Sequence, residues 1–488
     1  MTQISSTDWT ALIGVFLAVL QIILAATVVL RVVFTRHPPG SSMAWIVLAT
    51  VLPYVGFILY VMFGERSIGR WRMHKMKDCL ERYQDAIEQR SDAAKPAEPQ
   101  SEAAASLLEI TRRVTHLTAT QGSSLELIGD AQESLERILK DIREAKHSID
   151  MEFYIWTPGV KTDEIANALI EAAERGVKCR VLVDAVGARP FIGSTWPVRM
   201  KVRGVKVAVA LPVQVLAFGS GRADIRLHRK TIVIDGRIAY TGSLNMIDPE
   251  QFAMEKGVAS WIDAMVRVTG TAVADLATVL ALDWTLQDEH GAQTEILAPA
   301  AVEATGAATV AAIPSGPSLA SDANLRVLIE AINKARKSVI ISTPYLVPGE
   351  PLLMALQNAA LRGVNVRITV PRQADSRIVK WAGHRYFGSL LEHGIHVFEF
   401  NSGMLHTKAV TIDDEIALFG TLNMDNRSMM LNFELMLLVL DGKFAGELAA
   451  LQRSYEAAGT EIDQHAWRQR GYGKRLLEGI CYLASPLL

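Results

Sequence analysis

Two stretches near the N-terminus carry no charge: Trp9 to Leu30 and Met43 to Gly64. A helix needs about 20 residues to cross the hydrocarbon core of a bilayer. The pattern therefore predicts helices over roughly 9–30 and 43–64, forming a transmembrane hairpin in a membrane and juxtamembrane segment, 1–90. A cleaved signal peptide has no second apolar run and usually begins with a basic segment, which Met1 to Asp8 does not offer. The short loop between the runs holds Arg31 and Arg36, and the segment after the second holds Arg66, Arg70, Arg72, Lys75 and Lys77. Cations resist translocation, so the heavier side, and with it the rest of the chain, is expected in the cytoplasm.

Beyond residue 90 the pattern changes. Ser91 to Ala105 is small, polar and proline-containing, which predicts a linker over 91–121. A second linker, 290–320, is expected where Ala, Gly, Thr and Pro dominate. The flanking segments, 122–289 and 321–488, resemble one another. IREAKHSI from Ile142 matches INKARKSV from Ile332, and each leads into an apolar run, MEFYIW and IISTPYLV. Amphipathic stretches follow (EIANALIEAAERGV, PLLMALQNAALRGV), then β-branched runs (CRVLV, NVRITV) and a short echo, RGVKV and HGIHV. Strand, helix, strand, helix, strand thus recurs. This predicts an α/β fold of two similar sandwich halves, with a sheet in each.

Composition narrows the picture. Lys+Arg (50) and Asp+Glu (52) nearly balance, which disfavours a nucleic-acid partner because no global positive field exists. Cys79, Cys179 and Cys481 are far apart and follow no metal-ligand spacing, so free thiols are expected.

The repeat is sharpest in LHRKTIVIDGRIAYTGSLN, from Leu227, and LHTKAVTIDDEIALFGTLN, from Leu405. Asp235-Gly236 is a strong hairpin turn between two strands, and Asp413-Asp414 stands in its place in the second copy. Alternation along a strand puts His228 and Lys230 on one face. A two-residue turn sets His228 opposite Ser243 and Lys230 opposite Thr241, so Ser243 and Asn245 join that face. The second copy gathers His406, Lys408, Thr421 and Asn423 in the same way. Asp235 and Asp413 sit at the turns, where turn chemistry accounts for them as braces of the hairpin. Glu434 is the better candidate for orienting an imidazole. Glu255 is the nearest acid in the first half, although its spacing from Gly242 does not match that of Glu434 from Gly420.

A phosphodiester explains why such a constellation would be duplicated. Its non-bridging oxygens must be held while phosphorus takes a fifth ligand, and paired ammonium and amide groups can hold them without a metal. One imidazole can attack in line and the other can protonate the leaving alkoxide, then deprotonate the incoming alcohol. Histidine titrates near pH 6.5, so both roles are open at neutral pH. A metal site would need carboxylates or cysteines converging on the histidines, and the motif lysines would repel the cation.

These motifs resemble the HxK(x)4D(x)6GSxN signature of the phospholipase D superfamily, and within it the bacterial cardiolipin synthases. The resemblance runs from the apolar hairpin through YIW at Tyr154, HRKTIVIDGRIAYTGSLNMIDP, TPYLVP around Tyr345, HTKAVTIDDEIALFGTLNMDNRSMMLNFE and the ending SPLL. It implies a cofactor-free and metal-free transfer in the cell membrane: two phosphatidylglycerols give cardiolipin and glycerol through a phosphohistidine. It also implies catalytic triads His228, Lys230, Asp235 and His406, Lys408, Asp413, with His228 as nucleophile and His406 as acid/base. The sequence alone leaves that assignment of roles open. The first copy continues MIDPEQF where the second has MDNRSMM, so Arg427-Ser428 has no counterpart.

Hydrolysis with water as acceptor is the alternative fate of the same intermediate. A nuclease would want a soluble chain with a basic cleft, and a catalytically dead scaffold would not keep both constellations intact. The stretch VAVALPVQVLAFGSG from Val207, preceded by Arg199, Lys201, Arg203 and Lys206, reads either as a buried strand and loop or as an apolar loop dipping among lipid tails. The C-terminal WRQRGYGKRLLEGICYLASPLL reads either as an interfacial helix or as an edge helix packed on the domain.

Overall fold

A computed structural model describes residues 6–35, 39–65, 68–69, 72–77, 97–212, 222–257, 259–287, 302–317, 321–483 and 485. Residues 213–221, part of the stretch read either as a buried strand and loop or as an apolar loop among lipid tails, lie outside them. The chain forms two compact units, Met1–His74 with Val213–Ile225, and Lys75–Pro212 with Arg226–Leu488.

In the smaller unit, α1 (Ser6–Phe34) is one continuous helix whose Trp9–Phe34 stretch is long and apolar enough to cross a membrane. The second apolar run differs from the single helix expected over 43–64. It forms two short helices, α2 (Pro39–Val51) and α3 (Pro53–Phe63). The cause is Pro53: it lacks an N–H and its ring clashes with the preceding turn, so the helix breaks at Leu52. The pieces fold against each other so closely that a Cβ on Gly56 would lie 2.7 Å from the Cα of Ala49. Val28, Val32, Ala49 and Tyr60 form the small core of this unit. At the end of α1, Arg31 grips Glu65 with two hydrogen bonds of 2.6 and 2.9 Å.

The larger unit is built twice. The first half contributes β1 (Thr120–Ile128), β2 (Ser148–Phe153), β3 (Lys178–Asp184), β4 (Lys206–Ala210), β5 (Lys230–Ile234), β6 (Ile238–Gly242), β7 (Trp261–Ile262) and β8 (Met265–Gly270). The second contributes β9 (Ala308–Ser315), β10 (Ser338–Ser342), β11 (Asn365–Pro371), β12 (His396–Phe400), β13 (Met404–Leu405), β14 (Ala409–Ile412), β15 (Ile416–Gly420), β16 (Glu434–Leu440) and β17 (Gly459–Glu461). The expectation of a sheet in each half gives way to one continuous 15-stranded sheet, in the order β17-β12-β11-β10-β14-β15-β16-β9-β1-β8-β6-β5-β2-β3-β4. Read outward from the β9–β1 junction, the order is the same in both directions, apart from the extra β17. At that junction Thr120 pairs antiparallel with Val310 and Gln121 with Thr309. Antiparallel pairing of equivalent strands relates the halves by a pseudo-two-fold axis.

Both expected linkers contain ordered elements. Within 290–320, β9 is buried along its length, and its small apolar residues, Ala308 to Ala312, hid it among the Ala-rich sequence. Within 91–121, Glu102–Thr115 is a helix capped by Ser101 and ended by left-handed His116. It packs on the second half, where Leu107 joins that core and Ser106 bonds Glu330.

Candidate active site

A small second junction positions the chemistry. Just ahead of each motif histidine, the chain pairs in parallel with the other half. Met404 and Leu405 pair with Trp261 and Ile262, and Leu227 bridges Phe433. The His228 N–H donates to Phe433 O and the His406 N–H to Ile262 O, each at 2.9 Å. The residues that follow these pairs are His228 beside Glu434 and His406 beside Asp263. His228 Nδ1 lies 2.9 Å from Glu434 Oε2, and His406 Nδ1 lies 2.6 Å from Asp263 Oδ1. Each half thus supplies an imidazole and the carboxylate for the other half's imidazole. Both histidines are buried, at 7% and 3% exposure.

The motif hydroxyls brace these carboxylates. Ser243 Oγ donates to Asp263 Oδ1 and Thr421 Oγ1 to Glu434 Oε2, both at 2.6 Å. The same oxygens accept from Ala264 N and Leu435 N. Lys230 and Lys408 are fully buried, and each Nζ donates to its own motif's histidine carbonyl, at 2.7 and 2.6 Å. Asn245 Oδ1 accepts from Ile155 N, whereas Asn423 Oδ1 is buried without a partner. The residue between His and Lys also reaches across. Arg229 donates to Glu434 O and Ser315 O, each at 3.0 Å, and pairs with Asp283. Thr407 Oγ1 donates to Ile262 O. Aromatic rings face both imidazoles, Tyr154 at 4.9 Å from His228 and Trp261 at 4.2 Å from His406.

The hairpin register is one residue off the expected one. Asp235 and Gly236 are both left-handed and turn the chain, but pairing resumes at Ile234–Ile238, which leaves three residues, 235–237, in the loop. Lys230 therefore stands opposite Gly242, and Ser243 lies past the end of β6. Ser243 still joins the site, because its N–H donates to Ala264 O and its side chain turns toward Asp263. The second hairpin behaves alike, with Ile412 paired to Ile416.

Asp235 and Asp413 stand at the turns, at the other end of β5 and β14 from the lysines. The Asp235 carboxylate accepts the N–H groups of Lys146, His147 and Ser148 at 2.7–2.9 Å. Asp413 does the same for Arg336, Lys337 and Ser338. They clamp hairpin to sheet and do not touch the imidazoles.

Sequence reasoning missed Asp263 and offered Glu255, whose side chain lies outside the described residues. The first half places the helix Pro249–Lys256 between Gly242 and its acid, where the second has the shorter helix Asn426–Met430. Spacing from the motif therefore fails as a guide. A usable signal was present: Asp263 in WID and Glu434 in NFE each follow an apolar residue directly, Glu434 opening β16 and Asp263 lying two residues before β8, the strands that pair with the motif hairpins.

The electrostatics set the protonation pattern. Burial pushes His228 down to about 4, helped by the Lys230 charge and opposed by Glu434. Burial and Lys408 likewise lower His406. Burial alone would raise Glu434, but His228 and Lys230 outweigh it and hold the carboxyl below its usual range. Asp263 is held low against burial by His406 and Lys408. Burial also brings Lys230 down to about 8 and Lys408 to about 7, against the pull of the carboxylates. An ionised carboxylate only accepts, so each Nδ1 carries the proton and each Nε2 presents a lone pair.

A duplicated α/β sheet that brings paired His-x-Lys hairpins and exchanged carboxylates into one site defines a protein of the phospholipase D class. The domain described as "Cardiolipin synthase, PLD-like domain" matches residues 138–267 and again 328–454, and a "Phospholipase D-nuclease N-terminal" segment matches 19–65. The chain is 37% identical to cardiolipin synthase A of Proteus mirabilis over 469 residues, covering 96% of each protein. It is 37% identical to that of Yersinia pseudotuberculosis over 489 residues, covering 99% of this chain and 98% of the relative. Among solved structures, phosphatidylserine synthase of Haemophilus influenzae shares the fold, with a TM-score of 0.58, 17% identity and coverage of 78% of this chain and all of the other. The chain belongs to the cardiolipin synthase family of phospholipase D-like proteins.

Proposed function

We propose that the protein is a phosphatidyltransferase that makes cardiolipin and glycerol from two molecules of phosphatidylglycerol. The observation that carries this reading is the exchange of carboxylates between halves, which fixes two buried imidazoles that each also feel the lysine of the other half. His228 Nε2 attacks phosphorus and the bond to the headgroup glycerol oxygen breaks. His406 gives that oxygen its proton. The glycerol hydroxyl of a second phosphatidylglycerol then passes its proton to His406, attacks phosphorus and displaces His228.

Lys230 and Lys408 hold the non-bridging oxygens, with Asn245 and Asn423 as further donors. In the empty site the imidazoles are neutral. The phosphodiester brings its own anion, which restores charge to the lysines and makes a proton on His406 favourable. Ser243 and Thr421 act one step back, fixing Asp263 and Glu434, and Asp235 and Asp413 act further back, through the hairpins.

The apolar helix α1 fits a membrane-associated enzyme. We infer further that α1 and the α2–α3 pair lie in the bacterial cell membrane, with the larger unit on the cytoplasmic side. The cations Arg66, Arg70, Arg72, Lys75 and Lys77 support this orientation. Incubation of the full chain with labelled phosphatidylglycerol in EDTA, followed by lipid separation, tests the reaction. Cardiolipin with released glycerol is expected. Phosphatidic acid as the sole product would assign hydrolysis, and a strict divalent requirement would remove the mechanism.

A further inference from the structure

The helix Tyr472–Leu483 lies at the edge of the second half. Its inner side is formed by Glu478, Cys481 and Tyr482. Glu478 is 2% exposed and paired with Arg470. Cys481 and Tyr482 pack on the core of the second half, Tyr482 meeting Tyr386 edge-on at 5.6 Å. The opposite side carries Tyr472, Leu476, Ile480 and Leu483, exposed by 88%, 67%, 58% and 78%.

The spacing of i, i+4, i+8 and i+11 puts these four side chains on one stripe, since each residue turns the helix by about 100°. A helix at the edge of a water-soluble domain normally turns charged and polar residues outward. This one turns an apolar stripe outward instead. Arg475 borders the stripe, 6.0 Å from the Tyr472 ring, whereas Lys474 falls on the Cys481 side at the exposed first turn, and the helix's single acid is the buried Glu478. The outward face therefore offers apolar surface bordered by a cation, with no acid of the helix beside it.

We propose that this helix docks on the bilayer, laying the stripe among acyl chains while Arg475 at its border meets anionic headgroups. The charge pattern selects this occupant. A second copy would bring like charges together, whereas an anionic lipid surface complements them. The chain also carries its own apolar span, Trp9–Phe34, so the protein is held where such a surface is available. The proposal does not depend on which reaction the site performs.

Full-length protein in vesicles of phosphatidylcholine and phosphatidylglycerol tests it. Leu476→Cys and Ile480→Cys, each in a Cys79→Ser, Cys481→Ser background, are labelled with an environment-sensitive fluorophore. Val160→Cys, exposed by 67% on the first half, is the control. Quenching by lipids spin-labelled in the acyl chain should be several-fold greater at 476 and 480 than at 160. Equal quenching at all these positions overturns the proposal. So does emission at 476 that shifts to the blue with protein concentration in lipid-free detergent, which would assign the stripe to a second copy. Independently, Leu476→Asp with Ile480→Asp should lower the ratio of vesicle rate to detergent-dispersed rate by about tenfold; an unchanged ratio also overturns it.

Discussion

Glu434 of the second half lies 2.9 Å from Nδ1 of His228, an imidazole of the first. This contact, with its mirror between Asp263 and His406, makes the site a joint product of both halves.

Glu434→Gln keeps the shape and removes the charge. An amide can donate as well as accept, so His228 loses its fixed tautomer. By analogy with removal of the orienting carboxylate in other histidine-dependent enzymes, kcat should fall by about 10²–10⁴. Asp263→Asn should act in the same way on His406. Retention of the wild-type melting temperature alongside that loss would separate positioning from folding; a loss under threefold in either variant would refute the orienting role.

The assignment of roles predicts which variant traps an intermediate. His406→Ala, incubated with a phosphatidyl ester of p-nitrophenol labelled on phosphorus, should accumulate acid-labile label on the protein, because His228 can still attack and that leaving group departs without a proton. His228→Ala should accumulate none. The reverse pattern would exchange the roles.

The pH profile of kcat/KM follows from the free site. His228 must be neutral to attack, and burial pushes its pKa down to about 4, so the acid limb should lie well below the usual 6.5 of histidine. Lys408 and Lys230 must be protonated to hold the phosphate, and they sit at about 7 and about 8. His406 must also carry the proton it gives to the leaving oxygen, and it is lowered from its usual 6.5, so kcat/KM should already be declining below pH 7 and fall further through 7 to 8, not near the ordinary lysine value. A plateau persisting to pH 10 in a titration of initial rates would contradict this.

Asp235→Ala and Asp413→Ala remove an acceptor shared by three backbone N–H groups each. They also put alanine at φ of 53° and 56°, where a Cβ without a polar partner is strained. Each should cost about 1–3 kcal/mol in thermal or denaturant unfolding. The rate per folded molecule should change far less than in Glu434→Gln. A loss of activity equal to that of Glu434→Gln, at unchanged stability, would return these aspartates to the chemistry.

Much of this site could be read from residue order, because its parts lie within one hairpin. His228, Lys230, Ser243 and Asn245 are close in the chain, and strand alternation with a turn brings them together. Asp263 could not be placed that way. It reaches His406 through a pairing of β7 with β13, a contact between halves that no local pattern encodes. The same holds for β9: its Ala-rich residues are unremarkable locally, yet pairing with β1 and β16 buries every one of them. The break at Pro53 was visible in the sequence, but the uniform hydropathy of Met43 to Gly64 concealed it.

The exchanged carboxylates have a consequence for synthesis of the chain. α1 and the whole first half leave the ribosome long before Glu434, so the enzyme can reach its lipid surface while His228 still lacks its acceptor. Under the proposed mechanism the site is therefore completed by a residue synthesised long after the histidine it orients.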